Sequence, residues 1–237
     1  MTNFCKFLVV FLIFSNFAFS QNFLSTSGTS IINEKGDTII LRGMGLGGWM
    51  VQEGYMMAPG GFSSTQYQIK DKITELVGEE ETQKFYDNWL NNHVTKTDID
   101  SMKSWGFNLV RAPIHYNLFT LPIDQEPFPG AYTELEVGFK LLDSLLSWCK
   151  ENEIYLMIDL HAAPGGQGYN ADISDYDPTK PSLWESELNQ NKTVELWKRL
   201  SQRYKNEEWV AGYDLINEPN WEIPGGVLLK ELYVKIT

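Results

Sequence analysis

Asn217-Glu218-Pro219 sets an amide, a carboxylic acid and a proline at the end of an apolar run, Val210-Ala211-Gly212-Tyr213-Asp214-Leu215-Ile216. The run reads as a largely buried strand. Polar residues at its tip are badly placed for a core and well placed to face a pocket. In an apolar rim Glu218 would be desolvated, which raises a carboxyl pKa and suits a general acid. Asn217 can hold a sugar hydroxyl. Arg111 and His161 stand at the ends of two earlier apolar runs, Phe107 to Val110 and Ile154 to Leu160. Arg111 is a fixed cationic fork that can keep a carboxylate ionised and oriented. His161 can hydrogen-bond a substrate or tune its neighbours. Splitting an acetal between sugars with retention takes two carboxyl groups, about 5–5.5 Å apart. Each residue also has a plainer reading. Arg111 could pair with a structural acid, His161 could be satisfied in the core, and Asn217 could cap a helix.

The elements that must position these residues alternate. Ser30 to Leu41 reads as a β-hairpin, with strands Ile31-Ile32 and Thr38 to Leu41 and a turn at Gly36. Arg42 to Trp49 is glycine-rich where a strand should emerge. Thr65 to Trp105 carries mostly helical periodicity, with Thr97 able to cap Asp98 to Trp105 and Gly106 to end it. Phe107 to Arg111 is a strand, Leu135 to Glu151 an amphipathic helix, and Ile154 to Leu160 a strand. Lys192 to Tyr204 is a helix, and Val210 to Ile216 a strand. Strands alternating with helices predict a parallel sheet with right-handed crossovers. Polar residues at the C-terminal ends of successive strands are the pattern of an α/β barrel's active face.

Bulk properties narrow the function class. Met1 to Ser20 contains one charged side chain, Lys6, a short apolar core from Phe7 to Phe14, and small residues at Ala18 and Ser20. It reads as a signal peptide cleaved before Gln21, so the protein is expected to be secreted, periplasmic or at the cell surface. A membrane anchor would need a longer run. The formal charge of −12 argues against nucleic acid and against anionic membranes. Cys5 leaves with the signal, and Cys149 in a helical stretch reads as a buried thiol without a disulfide partner. Three histidines without metal-ligand clustering predict no metal, and no pattern calls for a cofactor. Asp172, Asp175 and Asp177 do not have EF-hand spacing and read as a solvated loop. Asn191-Lys192-Thr193 is a glycosylation sequon.

Four segments carry a family resemblance. They are Leu41-Arg42-Gly43, Trp105-Gly106-Phe107-Asn108 running into Val110-Arg111-Ala112-Pro113, Ile158-Asp159-Leu160-His161, and Leu215-Ile216-Asn217-Glu218-Pro219. In this order and spacing they resemble the motifs of glycoside hydrolase family 5, the cellulase-type family of a large retaining clan. The resemblance runs from Ile31 to Thr237. It implies a (β/α)8 TIM barrel over residues 21–237, and hydrolysis of a β-linked polysaccharide, foremost a β-glucan, by double displacement. It implies Glu218 as acid/base, Asn217 on the sugar 2-hydroxyl, Arg111 supporting the nucleophile, and His161 as the histidine after the third barrel strand. Leu46-Gly47-Gly48-Trp49 with Glu53, and Asp159 to Gln167, are similar to exo-β-1,3-glucanases, which implies that Glu53 grips a terminal glucose. Gly168 to Trp184 reads as an insertion relative to that branch. Trp221, just past Glu218, is placed either to stack a sugar or to pack. His115, Tyr116 and Trp49 read first as packing.

A complete barrel of this type takes about 250 residues. The sequence offers four barrel strands, the first near Met44. Leu228 to Thr237 reads as a helix without a stop signal. The expectation is a C-terminally truncated barrel. The family's nucleophilic glutamate, on its seventh strand, lies outside these residues, and the chain alone is inactive and poorly soluble. Two other classes stay open. One is a secreted carbohydrate-binding barrel that uses Trp49, Tyr169 and Trp221 without chemistry. The other is a barrel enzyme of different chemistry.

Overall fold

The computed structural model describes residues 23–58, 61, 63–221 and 226–237. The expected signal peptide and its cleavage point lie outside them. A two-stranded hairpin opens the described chain, β1 (Ser25–Ser27) pairing antiparallel with β2 (Ser30–Ile32). The expected second hairpin strand, Thr38 to Leu41, is reduced to one bridge between Ile32 and Thr38. Its turn forms as expected, with Gly36 at a φ of 82° donating to the Asn33 carbonyl.

Four parallel strands follow in sequence order: β3 (Gly43–Gly45), β4 (Leu109–His115), β5 (Tyr155–Ala162) and β6 (Val210–Asp214). The helical stretch between β3 and β4 resolves into α1 (Gly54–Met57), α2 (Gln66–Val77), α3 (Glu79–Asn92) and α4 (Lys96–Ser104). The last of these is capped by Thr95 and not Thr97. The Thr95 N–H and hydroxyl both reach the Asp98 carboxylate, which ties off the first turn. Crossover helices α5 (Glu136–Glu151), then the short α6 (Ala171–Ser174) with α7 (Glu187–Tyr204), link the later strands. The chain closes on α8 (Val227–Ile236).

The two-residue period of a strand sorts side chains onto opposite faces. Val110, Ala112 and Ile114 of β4 and Leu156, Ile158 and Leu160 of β5 are buried. With Leu142, Leu145 and Cys149 of α5 and Leu196 and Leu200 of α7 they form one core cluster. Each such aliphatic side chain contributes about 1.5–3 kcal/mol by leaving water. The other face of the same strands carries Arg111, Pro113, Met157, Asp159 and His161. Cys149 is buried as expected, and burial pushes its thiol up to about 12, so it stays protonated and inert at neutral pH.

Strand β4 runs on to His115, four residues past the end expected at Arg111. Strand β3 pairs only as far as Arg111, and Leu46 N–H caps the Arg111 carbonyl. Pro113 points its backbone to that same side, beyond the last pair, so its missing N–H costs no ladder bond.

A buried ion pair fastens the long loop after β4 to α7. Lys192 donates to Glu126 and to the Thr120 hydroxyl, and Glu126 also accepts from the Thr133 N–H and hydroxyl. Both side chains are almost completely buried. Lys192→Met strands the Glu126 carboxylate, and we expect a loss of about 3 kcal/mol in urea unfolding, with most of it recovered in the apolar double variant Lys192→Met/Glu126→Leu.

Candidate active site

The pleat brings the expected residues together at the C-terminal ends of β4, β5 and β6. Asp159 stands level with Pro113 on one side and Asp214 on the other, and Arg111 lies one layer below, beside Met157 and Gly212. Arg111 therefore reaches up into a ring of acceptors. Its Nη2 donates to Asp214 Oδ2 at 2.9 Å and to Asn217 Oδ1 at 2.8 Å, and lies 3.0 Å from Asp159 Oδ2. Nε adds a longer bond to Asp214 at 3.3 Å. Both readings of Arg111 meet here: it pairs with two structural acids and also fixes the amide beside Glu218.

His161 occupies the seventh position of β5, inside the strand and not after it. Its Nδ1 is 2.7 Å from Asp159 Oδ2. Its Nε2 is 3.4 Å from Glu53 Oε1 and 3.3 Å from Asn217 Nδ2. Burial alone would lower the imidazole pKa, but Asp159 and Glu53 overcome it and push it up to about 9. Burial raises the Asp159 carboxyl above its usual range, against the pull of His161 and Arg111.

Glu53 is buried at the N-terminus of α1, on the far side of His161. Tyr55 stands over it. Partial burial, then the carboxylates of Glu53, Glu218 and Asp172, raise the Tyr55 phenol pKa. Tyr55 is exposed and marks the rim between these acids. Its role had no signal in the sequence.

Glu218 follows directly on Asn217 and is exposed, so the described residues do not supply the apolar enclosure expected around it. Its backbone is left-handed, with a φ of 42°. Pro219 follows. Trp221 takes the packing alternative: it lies face to face on Tyr169, with centroids 4.2 Å apart at 10°, and edge-on to Tyr176. Tyr169 is half exposed. The loop beneath runs tight against the segment after Glu218. A Cβ on Gly168 would lie 2.3 Å from the Asn220 side-chain oxygen and 3.2 Å from the Glu218 carbonyl oxygen, so a larger residue there would have to displace the Asn220 side chain.

Gln167 ends the Asp159 to Gln167 motif, but its structural role had no signal in the sequence. Fully buried, its Nε2 donates to the His161 carbonyl at 2.6 Å and to the Asn217 carbonyl at 2.9 Å, while Oε1 accepts the Ala163 N–H. It staples the tips of β5 and of the chain after β6. Asp175 corrects an expectation outright. It is not a solvated loop residue: it accepts the Tyr67 N–H at 2.9 Å and pairs with buried His115 at 2.9 Å. That pair ties α2, β4 and the β5 loop together, and it fits the packing role expected of His115. Trp49 also packs as expected, buried with its Nε1 on the Leu90 carbonyl. Among the described residues no group of His, Cys, Asp and Glu could hold a metal ion, and no helix is long and apolar enough to cross a membrane.

Comparison with known proteins gives a consistent answer. The family model described as cellulase (glycosyl hydrolase family 5) matches residues 64–231. A β-xylosidase of Phanerodontia chrysosporium is 36% identical over 198 residues, covering 83% of this chain and 39% of that protein. A probable glucan 1,3-beta-glucosidase A of Aspergillus niger is 33% identical over 190 residues, covering 79% of this chain and 42% of that protein. The chain thus spans less than half the length of these relatives. Among solved structures, the rutinosidase of Aspergillus niger superposes with a TM-score of 0.65 at 16% identity, over 82% of this chain and 57% of that one. That likeness fixes the architecture as part of a (β/α)8 barrel, with the four parallel strands as its described portion. The chain belongs to glycoside hydrolase family 5.

Proposed function

We propose that the protein hydrolyses O-glycosidic bonds in a β-linked glucan with retention of configuration. The observation that carries this reading is the convergence of Arg111, His161, Asn217 and Glu53 on one cluster beside Glu218. In it, Glu218 protonates the leaving oxygen, then takes a proton from water as the glycosyl-enzyme is hydrolysed. Asn217, its oxygen held by Arg111, offers its NH2 to the sugar 2-hydroxyl. Glu53, a buried acceptor, takes hydroxyl hydrogens of the same sugar. Arg111 lends positive charge to the nucleophilic carboxylate. The free face of Tyr169, backed by Trp221, is a stacking surface for the next sugar.

The relatives named as acting on 1,3-β-glucan and β-xyloside support a β-linked substrate, and the Glu53 motif favours a glucan. The nucleophile, which the family carries on its seventh strand, belongs to a part of the barrel that these four strands do not include. The 237 residues alone are therefore expected to release no sugar from laminarin, cellulose or mannan oligosaccharides. With the barrel closed by four further strands, proton NMR of the first-formed product is expected to show the β-anomer. An α-anomer formed first would overturn the retaining reading. No hydrolysis of any β-linked oligosaccharide by the closed barrel would favour a barrel that only binds glycans. We also propose that Met1–Ser20 directs the protein into a secretory route, which N-terminal sequencing of the exported protein checks by finding Gln21 first.

A further inference from the structure

Asp159 is fully buried, yet it touches both cations of the site. One oxygen, Oδ2, faces Arg111 at 3.0 Å and His161 Nδ1 at 2.7 Å. The other, Oδ1, is buried with no hydrogen-bond partner. Burying a charged group with one oxygen unsatisfied is costly. The charge on Asp159 therefore calls for a use.

That use lies on the opposite side of the imidazole. His161 Nε2 sits between an acceptor, Glu53 Oε1, and a donor, the Asn217 NH2. The amide cannot turn round, because its oxygen accepts from Arg111. A protonated Nε2 donates to Glu53 and opposes the Asn217 NH2. A bare Nε2 accepts from Asn217 and opposes Glu53. The ring can satisfy one neighbour at a time, and its proton decides which.

We propose that Asp159 is a positioning residue for sugar binding: it holds the second proton on His161, which commits Nε2 to Glu53 and leaves the Asn217 NH2 free for a sugar hydroxyl. The identity of the ligand rests on the function proposed above. The proton arrangement does not. The charged groups around the ring are Asp159 on its own strand, Glu53 ahead of α1, Arg111 of β4 and Asp214 of β6 acting through Asp159, and Glu218 beyond Asn217, with the Tyr55 phenol against Glu53. The upward shift of the imidazole agrees with this balance. The ring is held charged below its raised pKa, and the charge is lost as pH rises through about 9. Sugar affinity is accordingly level through neutrality and falls above that point.

The test uses the full-length protein carrying Glu218→Gln, which removes turnover, with laminaribiose as the probe. Dissociation constants are measured from pH 5.5 to 10, and the His161 ring nitrogens are followed by NMR. Adding Asp159→Asn is expected to move the alkaline limb of binding and the ring titration together by about two pH units toward acid, weakening affinity at pH 8 by about ten-fold. Asp159→Glu is expected to restore much of both. A folded Asp159→Asn protein whose binding limb stays near pH 9 overturns the proposal. So does a His161 ring that is neutral at pH 7 in the parent, which can be read even if Asp159→Asn does not fold. Absence of laminaribiose binding at every pH, with the ring titrating as expected, would instead refute the glucan reading and leave the proton-holding role of Asp159 supported.

Discussion

Replacing Glu218 with alanine in the closed barrel is expected to lower kcat on β-linked oligosaccharides about 10²–10⁴-fold, the usual contribution of a positioned general acid. The size of the loss should depend on the leaving group. A sugar alcohol needs a proton as it departs, whereas an activated phenol does not. Glycosylation by an activated aryl glycoside should therefore survive, and hydrolysis of the glycosyl-enzyme should become limiting, because water has lost its base. Azide needs no base and should speed that second step, giving a β-glycosyl azide. The measurement is a pair of steady-state assays, natural and activated substrate, with and without azide. An alanine variant within a factor of ten of the parent on the natural substrate would remove Glu218 from the chemistry. Glu218 is exposed and left-handed, so the substitution should leave the melting temperature little changed.

Gln167→Ala is expected to be strongly damaging to stability. It orphans three buried backbone groups at once: the carbonyls of His161 and Asn217 and the N–H of Ala163. At about 1–3 kcal/mol for each group, less what water entering the new cavity recovers, the loss should be about 3–6 kcal/mol. Small domains have a total stability of about 5–15 kcal/mol, so the variant approaches the unfolding threshold at ambient temperature. The loss would show as a lower urea midpoint with an unchanged m-value. Where folded protein remains, affinity for sugar should fall as well, because the side chains of His161 and Asn217 ride on the backbones that Gln167 joins. A loss below about 1 kcal/mol would mean that the staple is not holding the two tips together.

Much of this architecture could be read from the chain because it is local. The short apolar runs Phe107 to Arg111 and Ile154 to Leu160, and the leucine spacing of Leu135 to Glu151, place strands and helix to within a few residues. The burial of Cys149 follows from the same spacing. The strand boundaries depend on partners that are distant in sequence, whereas the cap of α4 depends on a local one. Strand β4 runs past the end expected at Arg111, and the sequence does not say that β3 ends beside that residue. Thr38 to Leu41 has strand-like residues but gains only one bridge. The turn at Thr95 to Asp98 closes through Asp98, which favours Thr95 over Thr97 as the cap.

The site divides in the same way. Arg111, His161, Asn217 and Glu218 announce themselves as polar residues ending apolar runs. Asp159 and Asp214 are embedded within such runs, and their pairing with Arg111 spans dozens of residues. Gln167 and Asp175 sit in a loop whose composition is that of any solvated loop. Only the folded chain shows that one staples two strand tips and the other holds His115 and α2. A buried polar residue in a loop has no periodicity to betray it.

The left-handed backbone at Glu218 has a consequence for redesign. A side chain in that region of φ,ψ space costs the fold about 1–3 kcal/mol, a cost that glycine would not incur. Position 218 is also exposed and lies in a loop, so a search guided by stability alone would rank it among the easiest places to improve. The same search would erase the carboxylate. Under the function proposed above, the glycine that would relieve this backbone is also a change that removes the acid/base.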